Sequence, residues 1–246
     1  GITIDRGEVP SVQARLAEVA PRLLPDDAGT EVADITLQQL VTMRAGLGAT
    51  SGSEYGAWVN SSDWVAYALR RPMVGEPGGR MIYSTGSSHI LGAALAMATG
   101  ESLLVQARRR LGDPLGIEIP AWTRDPQGYY MGGNQMALTP QAMLRVAVLM
   151  RDGGMFDGKQ VVSRDWVEAS AQPRTVSPWS GLGYGYGWFL SESGYVIARG
   201  YGGQVIAAHP ERDLAVAITS DPNRPARSKG YFGDLMRFLD GPILNV

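Results

Sequence analysis

The chain has 246 residues, a mass of 26.4 kDa and a formal net charge of −2, with 44% hydrophobic and 19% charged residues. This length suits one large domain or two interleaved lobes, and the balanced charge points to neither a nucleic acid nor an anionic membrane as a partner. The absence of cysteine excludes disulfides, thiolate metal sites and a cysteine nucleophile, and two histidines are too few for a multi-histidine metal site.

The first two thirds of the chain are predicted to be mainly helical, because apolar residues recur there at helical spacing. Thr36 and Gln39 form the signature of a capping box, and Ser61 or Ser62 is expected to cap the next helix. The predicted helices cover residues 10–24, 34–43, 63–71, 86–99, 102–111, 139–152 and 163–171.

The spacing of apolar residues becomes strand-like near residue 184. The predicted strands cover residues 184–190, 195–199, 204–208 and 214–219, and a final helix covers residues 229–239. This order indicates an α+β fold, with an antiparallel sheet flanked by helices and a mainly helical lobe. We predict a single domain, 1–246, with the helical lobe at about residues 30–172 and the sheet lobe at about 173–246.

The sequence contains none of the self-contained catalytic motifs for which we searched. There is no G-x-S-x-G elbow, no H-E-x-x-H, no phosphate-binding glycine loop, and no serine with a lysine three residues later. His89 lies within an apolar helix and His209 ends a strand, so we interpret both as structural residues rather than catalytic bases. No apolar run reaches the ~18 residues of a membrane span, and no signal peptide is visible, which leaves the compartment open.

Four segments in chain order resemble motifs of class C β-lactamases, penicillin-binding proteins and related esterases. Residues 35–47, ITLQQLVTMRAGL, resemble the family's I-T-L-x-x-L-L-x-x-x-S-G-L helix, and residues 77–85, PGGRMIYST, resemble P-G-x-x-x-x-Y-S-N. Residues 138–143, LTPQAM, resemble L-T-P-x-D-M, and residues 200–204, GYGGQ, resemble the strand beside the active site. The likeness covers nearly the whole chain and is greatest to the branch of aminohexanoate-oligomer hydrolases, amidases and esterases.

The resemblance implies a β-lactamase/transpeptidase-like fold and hydrolysis of an ester or amide through an acyl-serine intermediate, without metal or organic cofactor. β-Lactams and peptide-like amides are among the candidate substrates. In that family the serine and lysine lie as S-x-x-K on one helix. Residues 1–7 of this chain resemble the end of that helix. The pair is therefore expected upstream of residue 1, together with N-terminal strands that complete the fold. The 246 residues alone are expected to be inactive and to expose an apolar patch on the sheet and on the helix over 86–99.

The resemblance also implies roles for individual residues. Tyr83 matches the motif tyrosine that relays a proton. Thr85 stands where the family usually has asparagine; its hydroxyl forms fewer hydrogen bonds with a substrate than an amide does, which argues against classical β-lactam turnover. Tyr201 is the first candidate for the strand N–H of an oxyanion hole, and Gly202 and Gly203 are alternatives because the register is uncertain by one residue.

Three further residues are candidate substrate contacts. Tyr55 lies on a loop expected to overhang the cleft, Gln204 ends the glycine-rich run, and Asp125 lies on the long middle loop. A small-molecule ester or amide is the expected partner. Two alternatives remain open: a non-catalytic binding or regulatory relative on the same fold, and a structural or carbohydrate-binding β-meander module.

Overall fold

The computed structural model describes all 246 residues, which group into two compact units. The first unit comprises residues Gly1–Gly112 and Ile119–Ala137, and the second comprises Asp113–Glu118 and Leu138–Val246. No single helix is long and apolar enough to cross a membrane, although one bent pair, Thr85–Thr99 with Leu103–Leu115, meets the length and composition test when taken together.

The first unit is helical, as the apolar spacing predicted. Its helices are α1 (Ile2–Asp5), α2 (Leu16–Val19), α3 (Thr30–Ala33), α4 (Leu37–Val41), α5 (Tyr55–Val59), α6 (Trp64–Leu69), α7 (Thr85–Thr99) and α8 (Leu103–Ala107), with a π-helical turn at Arg108–Gly112. The helix predicted over residues 10–24 is reduced to α2 and a 3₁₀ turn, Pro21–Leu23. Helix α7 packs against α2, α4 and α6, and its Ile90, Ala93 and Ala94 are completely buried.

The predicted N-terminal cap is confirmed for α4 and is wrong for α6. At α4 the predicted capping box is confirmed, because Gln39 N donates to Thr36 Oγ1 at 3.2 Å and Thr36 N donates to Gln39 Oε1 at 2.9 Å. At α6 the cap is Asp63, whose Oδ1 accepts from Ala66 N at 2.8 Å. The expectation that Ser61 or Ser62 caps this helix is wrong, since Ser61 Oγ instead donates to backbone carbonyls.

The second unit contains a six-stranded antiparallel sheet in which every strand pairs with its sequence neighbour. A small hairpin of β1 (Met155–Phe156) and β2 (Lys159–Gln160) precedes this sheet in the chain. The sheet strands are β3 (Thr175–Val176), β4 (Gly183–Tyr184), β5 (Phe189–Leu190), β6 (Val196–Arg199), β7 (Val205–His209) and β8 (Leu214–Ile218). The helices are α9 (Asp113–Leu115), α10 (Pro140–Arg151), α11 (Arg164–Ser170) and α12 (Tyr231–Phe238).

The single strand predicted over residues 184–190 is wrong. It is two strands, β4 and β5, separated by a tight turn in which Gly185 N donates to Trp188 O and Gly187 has a φ of +79°. A positive φ is readily adopted only by glycine. Gly187 therefore allows a turn that interrupts the strand-like run over residues 184–190. Helix α10, assigned to the helical lobe in the sequence, packs on β7 and β8.

The expected exposure of a large apolar patch on the sheet and on α7 stays a prediction. None of the strongly exposed large apolar side chains lies on α7 or on β4 to β8. The partly buried residues of α7, among them Leu91, Leu95 and Met97, pack against the hydrophobic core of the first unit. The five residues of β8 are each partly buried.

Replacement of Asp63 by alanine tests the corrected cap of α6. The change removes the acceptor for Ala66 N, and we expect it to lower the free energy of unfolding by about 1 kcal/mol, as measured by urea denaturation. Ser62→Ala is the matched control, because Ser62 lies one residue away and its hydroxyl makes no hydrogen bond. Equal losses in the two variants would contradict the assignment.

Candidate functional site

Tyr83 lies just before α7 in a segment that is fixed against the end of α4. Ile82 N donates to Met43 O at 2.8 Å, and Gly78 N donates to Arg44 O at 2.8 Å. Ile82 is buried, whereas Tyr83 is half-buried. Backbone hydrogen bonds of the preceding residues therefore fix the position of the Tyr83 backbone, and the Tyr83 side chain retains access to solvent.

The first turn of α7 is capped by side chains from another loop. Ser84 occupies the N-cap position but makes no capping bond with its own side chain. Instead Thr50 Oγ1 accepts from Gly86 N at 2.8 Å and Ser51 Oγ accepts from Thr85 N at 2.9 Å. Free N–H groups at a helix start require acceptors, so this arrangement holds the start of α7 against residues 50–51.

Thr85 has a hydroxyl that remains capable of binding a ligand. Its Oγ1 lies 2.9 Å from Ser51 Oγ, and either oxygen can be the donor. If Thr85 donates, its lone pairs remain as acceptors; if Ser51 donates, the Thr85 proton remains available. Thr85 and Ser51 are both partly exposed, so this pair forms a polar surface immediately after Tyr83.

Tyr55 borders the same region through Asn134, a residue that the sequence analysis missed. Asn134 Nδ2 donates to the Tyr55 hydroxyl at 3.1 Å. The preceding Gly132 and Gly133 pass directly over the start of α7, where a Cβ on Gly133 would lie 2.6 Å from Thr85 Cγ2. The glycine pair before Asn134 was the available sequence signal, since adjacent glycines often mark a close backbone approach.

Asp125 is not a substrate contact, in contrast to the expectation from its place on the middle loop. Its side chain is inaccessible to solvent and its Oδ2 lies 3.0 Å from His89 Nε2, which is equally inaccessible. Gly132 N lies 3.4 Å from His89 Nδ1, which places the ring hydrogen on Nε2, facing the carboxylate. Asp125 Oδ1 accepts from Tyr129 N at 2.8 Å. The pair therefore orders the loop, and the interpretation of His89 as structural agrees with its burial.

The environment of Asp125 also acts on Tyr129. Burial, and secondarily the negative charge of Asp125, raise the pKa of the Tyr129 phenol. This phenol therefore releases its proton only at a higher pH than an ordinary tyrosine does. Among the tyrosines of this unit, Tyr83 keeps the position that the motif predicts for a proton relay.

The glycine-rich run lies in the turn between β6 and β7 rather than on a strand. Gly200 N donates to Gln204 O at 2.8 Å, Gly203 N donates to Gly200 O at 3.2 Å, and Gly202 N donates to Gln204 Oε1 at 3.2 Å. The Tyr201 N–H is the one amide of residues 200–203 without a hydrogen-bond partner. Tyr201 is also 72% exposed, so this donor belongs to an accessible part of the turn.

The back of this turn is held by residues that sequence reasoning missed. Ala226 N donates to Tyr201 O at 2.8 Å, and Arg199 donates to Ala226 O at 2.9 Å. The Arg199 guanidinium lies 3.7 Å from the centre of the Phe232 ring, close enough for a cation–π contact. Ser220 Oγ donates to Gly203 O at 3.1 Å. No local sequence pattern predicts these contacts, because they join segments about 25 residues apart along the chain.

The predicted site residues thus form two groups. Tyr83, Thr85 and Tyr55 lie in the first unit near Ser51 and Asn134, whereas Tyr201, Gly202, Gly203 and Gln204 form the turn of the second unit. No group of three or more histidine, cysteine, aspartate or glutamate side chains is arranged to hold a metal ion.

Comparison with known proteins places this arrangement in context. The family model described as Beta-lactamase matches residues 9–236. A search of curated proteins found no match.

Solved structures share the fold at low sequence identity. A protein described as "Putative 6-aminohexanoate-dimer hydrolase from Bacillus anthracis" has a structure that aligns with a TM-score of 0.79 and 18% identity, covering 99% of this chain and 69% of that chain. A penicillin-binding protein homologue from Caulobacter crescentus has a TM-score of 0.69 and 18% identity, covering 89% and 72%. EstCE1, a hydrolase with promiscuous acyltransferase activity, has a TM-score of 0.70 and 17% identity, covering 89% and 74%.

Replacement of Asp125 by alanine tests its structural role. The variant leaves the His89 Nε2–H and the Tyr129 N–H without their acceptor in a buried site, and we expect a loss of about 3 kcal/mol in unfolding free energy. Gln127→Ala, which removes one exposed hydrogen bond from the same loop, is expected to cost less than about 0.5 kcal/mol. A similar small loss for Asp125→Ala, measured by urea denaturation, would contradict this role.

Proposed function

The chain belongs to the β-lactamase family, and from this premise we propose that it supplies most of the active site of a serine hydrolase that cleaves an ester or amide bond. The family and its structural neighbours include hydrolases, which supports hydrolysis at the general level. The proposed reaction passes through an acyl-serine intermediate and needs no cofactor. The roles below are the parts of the proposal that concern individual residues.

The unpartnered N–H of Tyr201 is the observation that carries the proposal. Acyl transfer at a carbonyl develops negative charge on its oxygen, and a preorganised N–H donor stabilises that charge without reorganising during the reaction. Gly202 and Gly203 already donate within the turn, so Tyr201 is the best candidate among the three for an oxyanion donor. The second donor in this proposal is the N–H of the nucleophilic serine.

Tyr83 is proposed as the proton relay. Its phenol can pass a proton between the serine, the lysine and the leaving group, as a general acid–base group does. Support comes from the fixed backbone before it and from its partial exposure, both of which a relay at a substrate requires.

Substrate contact is proposed for Thr85, Tyr55 and Gln204. The first two lie in one polar region of the first unit, with hydroxyl groups that can each donate or accept. Gln204 uses Oε1 within its turn, which leaves Nε2 as a donor for a bound molecule. None of the three side chains is charged, and this favours neutral carbonyl recognition over strong binding of a carboxylate.

The serine and lysine are proposed to lie outside these 246 residues. Lys159 and Lys229 are the only lysines, and neither has a serine three residues before it. On a helix, positions i and i+3 share one face, which lets the amine take the hydroxyl proton. We therefore place the pair in a segment that precedes residue 1 and expect the 246 residues alone to be inactive.

A non-catalytic relative on the same fold is the second candidate function. The specific observation in its favour is the same absence of a serine–lysine pair from the 246 residues. A full-length protein without that pair would bind small molecules at most.

The experiment that separates the two candidates combines covalent labelling with a substrate panel. The full-length protein is treated with a fluorophosphonate, and its intact mass is measured before it is assayed with small esters and amides. A hydrolase gains one adduct and turns over at least one ester. A full-length protein that gains no adduct and hydrolyses nothing would support the non-catalytic candidate.

Replacement of Tyr83 by phenylalanine tests the proton relay. We expect kcat for an ester to fall by ~10²–10⁴, the usual contribution of a general acid–base group. Tyr67→Phe, at a partly buried tyrosine on α6, is the control and should leave kcat unchanged. Unaltered turnover in Tyr83→Phe would remove Tyr83 from the mechanism.

A further inference from the structure

Building on the proposed function, we propose that Gln204 is a positioning residue: its side chain occupies the Gly202 N–H and so makes Tyr201 N–H the one free donor of the turn. The amide of Gln204 lies inside the turn that precedes it, where Oε1 accepts from Gly202 N at 3.2 Å. The main-chain oxygen of the same residue accepts from Gly200 N at 2.8 Å. One residue thus satisfies two of the four N–H groups in residues 200–203.

The orientation of the carboxamide follows from its partner. Gly202 N–H is a donor, so the atom facing it must be the carboxamide oxygen rather than the nitrogen. Nε2 is consequently directed away from that N–H, and it has no hydrogen-bond partner in the protein. The same contact that occupies Gly202 therefore also orients the remaining donor of Gln204.

Gly200 leaves the space that this side chain fills. A Cβ added to Gly200 would lie 2.2 Å from Gln204 Oε1, a distance shorter than real Cβ contacts, so a side chain there would displace the carboxamide. A Cβ added to Gly202 would lie 2.4 Å from Asp221 O and 2.7 Å from Pro222 Cα, as well as 2.9 Å from Gln204 Nε2, so this glycine is required mainly by the neighbouring backbone. The run Gly200-Tyr201-Gly202-Gly203-Gln204 is thereby explained as a backbone turn built around one amide side chain.

Selection of a single donor matters for an oxyanion hole. Two adjacent amides in a turn point in different directions, and a carbonyl oxygen bound to the wrong one is displaced from the nucleophile. By holding Gly202 N–H inward, Gln204 removes the competing donor and restrains the peptide that joins Tyr201 to Gly202. Geometry of this kind affects the transition state more than substrate binding, because the charge on the oxygen is greatest there.

Amide-proton exchange measured by NMR on the full-length protein tests the hydrogen bond without reference to activity. We expect Gly202 to be protected and Tyr201 to exchange rapidly in the unaltered protein. Gln204→Met, similar in size but without an acceptor, should remove the protection of Gly202. Gln204→Glu keeps an acceptor oxygen and should restore it. Gln172→Met is the matched control, because Gln172 is exposed and its side chain makes no hydrogen bond.

Steady-state kinetics on an ester test the consequence for catalysis. For Gln204→Met we expect kcat to fall about 10-fold, a smaller effect than the ~10²–10³ for complete removal of an oxyanion donor. Gln204→Met and Gln204→Glu both lack the Nε2 donor proposed to contact the substrate, so both can change KM, whereas kcat should recover only in Gln204→Glu. Loss of Gly202 protection together with this fall in kcat supports the proposal.

Several outcomes would overturn the inference. Equal exchange of Gly202 in the unaltered protein and in Gln204→Met shows that Gln204 does not hold this N–H. Loss of protection with unchanged kcat shows that the hydrogen bond does not position a donor. If the unaltered protein hydrolyses nothing, the proposed function and the catalytic part of this inference fail together, while the exchange data still decide the hydrogen bond.

Discussion

Backbone N–H groups at the start of a helix need hydrogen-bond acceptors, and this need determines where the candidate site residues of the first unit lie. Helix α7 begins directly after Tyr83 and has no side-chain cap of its own, so Thr50 and Ser51 provide the acceptors for its first turn. That requirement brings the loop after α4 to the start of α7 and fixes Thr85 beside Ser51. The packing of Gly132 and Gly133 over the same turn then places Asn134 within reach of Tyr55.

The same physical requirement acts in the second unit with a different result. The turn between β6 and β7 uses its own glutamine and the contacts from Ala226 and Ser220 to satisfy most of its polar groups. What remains is a single N–H on an exposed residue. A hydrogen-bonding group left free inside an otherwise satisfied turn is energetically tolerable because solvent, or a ligand, can reach it. This N–H is therefore the donor of the turn that a ligand can use.

Sequence reasoning succeeded where a signal is local and failed where partners are distant. The cap at Thr36 depends on Gln39, three positions along the chain, and was predicted. The cap of α6 was misassigned because Asp63 competes with the neighbouring serines. Asp125 was misassigned because its partner, His89, is 36 residues away. The pattern of occupied N–H groups in residues 200–203 depends on the direction of the Gln204 side chain, which spacing in the sequence does not predict. The family itself was recognisable because its motifs are short, local and in order.

The interlocking of Gly200 and Gln204 has a consequence for how this protein can change over evolutionary time. A Cβ at position 200 would occupy the volume of the Gln204 carboxamide, so the two positions do not accept substitutions independently, and their effects are expected to be non-additive. Once the glutamine is replaced by a small residue, an alanine at position 200 no longer meets it, whereas an alanine at position 202 still meets Asp221 O and Pro222 Cα. Lineages that abandon this turn should therefore lose the glutamine before Gly200, an order of substitution imposed by epistasis.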